Sequence, residues 1–91
     1  MNYRRIGQPI IVLNFHSNGS AEQAAVVTRV WGPDNGALIN CTVFPDCSTS
    51  PAVTQGSIPL FSTRFEAGEW IGKQPGGLTI VGNRAAFPLE A

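Results

Sequence analysis

Ala24-Ala25-Val26-Val27-Thr28-Arg29-Val30-Trp31, then Gly32-Pro33-Asp34-Asn35-Gly36, then Ala37-Leu38-Ile39-Asn40-Cys41-Thr42-Val43-Phe44: this stretch decides the fold. Both outer runs are rich in β-branched residues, which pack well on a pleated surface. In the first, Val26, Thr28 and Val30 share one face, and Val27, Arg29 and Trp31 share the other. In the second, Leu38, Asn40, Thr42 and Phe44 oppose Ile39, Cys41 and Val43. Pro33 supplies the fixed φ of a turn's second position, and Asn35-Gly36 supplies positive φ. Pro45-Asp46 ends the second run, because proline cannot donate to a sheet ladder. The stretch reads as a β-hairpin.

Before it, Pro9-Ile10-Ile11-Val12-Leu13-Asn14-Phe15 is apolar on both faces, which predicts a strand covered on both sides. Ser17-Asn18-Gly19-Ser20 reads as a turn. Ser20 could cap one helical turn over residues 21–25, but the β-branched run that follows favours a strand. After the hairpin, residues 47–54 form a Ser/Thr/Pro loop. A short strand follows around Val53 or across Ser57-Ile58-Pro59-Leu60-Phe61, with Pro59 placing it at an edge. Phe61, Thr63 and Phe65 keep a period of two, which predicts a further strand reaching Glu66. Lys73-Gln74-Pro75-Gly76-Gly77 is a turn. Leu78-Thr79-Ile80-Val81 and Ala85-Ala86-Phe87 flank Gly82-Asn83-Arg84 as a closing hairpin. The expected class is all-β: a small barrel or sandwich of SH3-like or OB-like size, built on the central hairpin. Residues 1–91 make one domain, with the two ends as extended arms.

Charge is scarce. Only 13% of the residues are charged against 43% hydrophobic, and the net charge is zero, where a typical soluble domain has about a quarter charged. A chain of 91 residues has little interior for its surface, so it should need more charge than a large protein, not less. An uncharged small domain tends to self-associate. Much of its surface is therefore expected to be covered by other protein.

The same numbers argue against other roles. No apolar run approaches the length of a membrane span, and Arg4-Arg5 is not followed by a signal-peptide core. The basic residues are scattered, without a stripe to neutralise a phosphate backbone, so nucleic acid is a poor partner. Cys41 and Cys47 read as reduced thiols; a short-loop disulfide would need a tight reversal at Pro45-Asp46. Together with the distant His16 they do not supply four metal ligands.

Catalytic chemistry is not indicated either. His16 has no acid at a spacing that would orient its ring. Glu66 and Glu69 read as a solvated strand end rather than an acid/base pair, which would need a cleft. Gly76-Gly77 and Gly82 lack the helix and the Lys-Ser/Thr of a phosphate loop. No catalytic, metal-binding or cofactor-binding residue is assigned, and no cofactor is expected. The glycosylation triplets at Asn18 and Asn40 are short enough to occur by chance.

The hairpin resembles a group of small proteins encoded by tailed bacteriophages and prophages. The likeness rests on Ala24 through Trp31 as quoted, on Ile39-Asn40-Cys41-Thr42-Val43-Phe44-Pro45-Asp46, and on Thr54-Gln55-Gly56-Ser57-Ile58-Pro59-Leu60 as the later strand. It spans residues 24–60 and implies a virion accessory protein. The leading expectation is a capsid decoration (cement) protein that binds the assembled lattice and stabilises it by mass action, with no turnover. Its partner would be the major capsid protein or another virion protein. The chain would form a homo-oligomer, in one arrangement a trimer at capsid three-folds, made in the host cytoplasm and carried on the capsid surface. A head–tail connector, tail or baseplate module is the alternative within the virion. A small barrel binding a host protein or nucleic acid is the alternative outside it. Contact by strand addition or apolar docking is expected through residues 9–15 or 61–70. The expected interface residues are Ile11, Leu13, Phe15, Trp31, Phe61, Phe65 and Trp70.

Overall fold

The computed structural model describes residues 3–17, 19–45 and 51–89. Five strands, β1 (Pro9–Ser17), β2 (Ser20–Val30), β3 (Leu38–Phe44), β4 (Val53–Pro59) and β5 (Ala85–Pro88), form one antiparallel sheet in the order β4-β3-β2-β1-β5. A helix, α1 (Arg64–Lys73), and a 3-10 turn (Gly77–Thr79) lie between β4 and β5. The mostly β class agrees with the sequence. The sheet curls without closing into a continuous barrel. Among the described residues its two ends are joined by a Leu60–Ala86 bridge, a Phe61 N–H to Ala86 carbonyl bond of 2.9 Å, and Arg84 Nη1 donating to Gln55 Oε1 at 2.8 Å.

Strand alternation builds two apolar layers. The inner face gathers Ile10 and Val12 from β1, Ala25 and Val27 from β2, Ile39, Cys41 and Val43 from β3, with Ile58, Leu60 and Ala86. Each fully buried large aliphatic side chain here contributes about 1.5–3 kcal/mol. The outer face carries Ile11, Leu13, Ala85 and Phe87, which pack under Ala67 and Ile71 of α1. The first strand is thus covered on both sides, as its unbroken apolar run predicts.

The hairpin forms as read, with Gly36 at φ 88° and Ala37 N–H bonded to the Asp34 carbonyl at 3.0 Å. One detail differs. A bulge between Val27 and Arg29 exposes both Thr28 and Arg29 and turns Val30 toward the inner core, so the expected two faces of β2 exchange midway. The helical turn considered for residues 21–25 is strand throughout. β4 lies at the sheet edge, where Pro59 had placed it.

Two expectations are corrected. The run after Phe61 is not a strand but α1. Thr63 is its N-cap, accepting the Glu66 N–H at 3.2 Å, and Glu66 stands three positions on, the spacing of a capping box. Ala67 and Ile71 then share one buried face. The second half of the expected closing hairpin exists as β5, but Leu78 to Val81 is not a strand. Gly76 and Gly77 both take positive φ, and Asn83 Nδ2 donates to the carbonyls of Pro75 and Gly77 at 2.9 Å each, holding the segment coiled. Cys47, and with it the question of a disulfide, lies outside the described residues.

The segment before β1 folds back onto the hairpin. Arg4 donates to the carbonyls of Gly32, Ala37 and Leu60, each at 2.8 Å, and the Gly7 N–H reaches the Val27 carbonyl at 2.8 Å.

Candidate docking surface

The strand register sets Phe87, Ile11, Ala24 and Phe44 side by side across β5, β1, β2 and β3 on the outer face. Helix α1 covers only the β5–β1 end of this row. Ala24 and Phe44 stay uncovered, Phe44 at 50% exposure. Alongside the helix run two hollows of 410 and 380 Å³. The first is lined by Ile11, Phe87, Pro88 and Leu89, the second by Leu13, Ala21, Gly68, Ile71 and Leu78.

Arg64 borders both hollows. Its guanidinium grips Glu22 of β2 at 2.5 and 2.7 Å and stands 4.8 Å over the Phe87 ring. The pairing holds the Glu22 carboxyl below its ordinary range, chiefly through the hydrogen bond, and raises the Arg64 guanidinium in turn. The charge in the middle of the apolar trough is therefore neutralised internally.

The expected interface residues divide. Trp31 is 54% exposed and fixed in place: its indole N–H donates to Asn40 Oδ1 at 3.0 Å, and the Arg29 guanidinium lies 3.9 Å over its ring. Phe65 projects from α1 at 72% exposure. Ile11, Leu13, Phe61 and Trp70 are half-buried between α1 and the sheet, the Trp70 ring tilted 45° to Phe61 with centroids 6.4 Å apart. Phe15 is only 8% exposed, because the bulge after Leu13 turns it into the inner core beneath Arg84, so it has the least to offer a partner. Strand addition along residues 10–13 is blocked, since β1 is paired there on both edges.

Sequence reasoning missed Phe44 and the apolar loop of Leu78, Ile80 and Val81, all exposed. That loop is pinned from inside: Asn14, buried at φ 62°, donates its amide to the carbonyls of Ile80 and Asn83 at 3.0 and 3.1 Å. The signal available was an uncharged aliphatic run between glycines, where loops are ordinarily polar. Glu66 and Glu69 lie on the helix rather than at a strand end. Glu66 accepts from Asn35 at 2.7 Å, from Thr63 at 3.1 Å and from Ser62, and these bonds hold its carboxyl below the usual range. It is a cap, already saturated. His16 is exposed near the end of β1, with Nε2 3.0 Å from Asn14 Oδ1. Cys41 is fully buried, and desolvation pushes its thiol up to about 11.

Among the described residues no three His, Cys, Asp or Glu side chains cluster as metal ligands, and no helix is long and apolar enough to cross a membrane. What the surface offers is apolar contact. Neither known protein families, nor curated proteins, nor solved structures contain a match to this chain.

Proposed function

We propose that this chain is a non-catalytic structural component of a tailed-phage particle, a capsid decoration protein that docks on the assembled shell through its outer face. The observation that carries the reading is the exposure of Trp31, Phe44 and Phe65 on a small chain of zero net charge. Apolar patches of this kind, bordered by polar groups, mark association surfaces. Rigid aromatic side chains are effective anchors because they desolvate much area at little entropic cost. The likeness of residues 24–60 to phage-encoded proteins supports the virion as the setting. Binding only the completed lattice would stabilise that lattice by mass action.

Quantitative mass spectrometry of particles purified from cells carrying the gene tests this. Decoration predicts hundreds of copies per particle. About a dozen copies would move the protein to a connector or tail position, and absence from the particle would overturn the virion reading.

A further inference from the structure

Asn35-Gly36 is one of two Asn-Gly pairs in the chain, the other being Asn18-Gly19. Asn-Gly is the dipeptide most prone to deamidation in water. Glycine has no Cβ, so its backbone nitrogen approaches the Cγ carbon of the preceding side chain closely. Asn35 is exposed on the turn between β2 and β3, within reach of solvent.

Three elements meet on its side chain. Oδ1 accepts from the Tyr3 hydroxyl of the segment before β1 and from the Ser62 N–H ahead of α1, both at 2.8 Å. Nδ2 donates to Oε2 of Glu66 on α1 at 2.7 Å, while the other oxygen of Glu66 accepts from Ser62 and Thr63. The neighbouring nitrogen is held as well: the Gly36 N–H donates to the Leu60 carbonyl at 2.8 Å. With the turn closed, the nucleophile and the electrophile of deamidation are each fixed to other partners.

We infer that Asn35 is a modification site gated by folding: it is silent in the native protein, deamidates when the turn opens, and once converted no longer lets the turn close as before. The reaction needs only water. The Gly36 nitrogen loses its proton to hydroxide and bonds to Asn35 Cγ. The Cγ–Nδ2 bond breaks, and Nδ2 leaves as ammonia by taking a proton from water. Water then opens the cyclic imide at either carbonyl, giving aspartate or isoaspartate.

Neither product fits the native turn. Aspartate has no amide hydrogen for Glu66, so two like charges would face each other where a bond of 2.7 Å stood. Isoaspartate lengthens the main chain by a methylene just ahead of Gly36. There φ is 88° and the packing is so close that a Cβ would lie 2.8 Å from the Phe61 ring. Either change loosens the cap of α1 and the hold on Tyr3 together.

Peptide mapping by mass spectrometry tests this on the full chain, incubated in mildly alkaline buffer with and without guanidinium chloride. In denaturant Asn35 should convert at the pace of Asn18, which shares its glycine neighbour and serves as the clock. Without denaturant, conversion at Asn35 should be slower by about tenfold or more, because it waits on opening of the turn. Tyr3→Phe removes one of the bonds to Asn35 and should speed the native reaction about twofold or more. Asn35→Asp, which carries one product, should unfold at a lower urea concentration than the parent or fail to fold. Equal rates at Asn35 with and without denaturant would overturn the gating, as would no conversion in denaturant or a native rate that Tyr3→Phe leaves unchanged. An Asn35→Asp protein as stable as the parent would overturn the claim that the product cannot close the turn.

Discussion

Arg64, at the first turn of α1, reaches across the outer face to Glu22 of β2 and binds both of its carboxylate oxygens, at 2.5 and 2.7 Å. Forty-two positions apart in the chain, the two residues tie the helix to the middle of the sheet. Both are solvent-exposed, so their pairing orients the helix more than it stabilises the fold.

The pair makes stability depend weakly on pH. Glu22 has a depressed pKa when folded, so its contribution is complete above the ordinary value of 4.5 and is lost as pH falls through the lower, folded value. Glu22→Gln should cost less than about 1 kcal/mol at pH 7 in low salt. Urea titrations of parent and variant should converge at pH values below the folded pKa; a gap that persists there would show that Glu22 acts by something other than its charge.

Thr63 sets where α1 begins. Thr63→Ala should lower stability by about 1 kcal/mol, and Thr63→Ser should restore most of it, since serine caps equally well. The measurement is the urea midpoint with an unchanged slope. If Thr63→Ala is neutral, the cap is not what turns this run from strand to helix.

Arg4 binds three carbonyls at once. Arg4→Ala should cost on the order of 2 kcal/mol, because each bond is charge-assisted. The loss is held down because the Leu60 and Ala37 carbonyls also accept from Gly36 and Leu60 N–H groups. Arg4→Lys should recover little, since a single ammonium cannot match a planar fork directed at three acceptors. Thermal unfolding of the three proteins compares them directly.

Cys41 should be chemically silent in the folded protein. Burial and a pKa near 11 leave almost no thiolate at pH 8. In a Cys47→Ser background, a thiol-reactive disulfide reagent should label Cys41 only after denaturant is added. Rapid native labelling would mean that the inner core opens readily.

Exposed aromatics should drive association. Light scattering of the isolated chain at neutral pH should report oligomers, and Phe44→Ser with Phe65→Ser should shift the distribution toward monomer. A freely soluble parent monomer would remove the physical basis of the docking surface.

The hairpin was legible because its information is local: alternation, β-branched residues and a Pro-Asp-Asn-Gly turn all agree. The helix was not, because Phe61, Thr63 and Phe65 imitate a strand, and Thr63 with Glu66 outweighs that rhythm only when Ala67 and Ile71 find Ala85 and Phe87 to cover. The candidate site was half legible. Trp31 and Phe65 stand out by residue type, whereas Phe15 and Phe44, both aromatics on strands, exchange roles: the bulge after Leu13 turns Phe15 into the inner core, and α1 leaves Phe44 unroofed.

What the chain's own order of residues determined is the β class, the central hairpin, the edge position of the strand bearing Pro59, and a surface short of charge. Only tertiary packing decided which apolar side chains remain outside. A strand's alternation defines two faces but does not say what lies over each of them. Here α1 is long enough to shelter Ile11, Leu13 and Phe87 and stops short of Phe44, so a difference of two strands across the sheet separates core from surface.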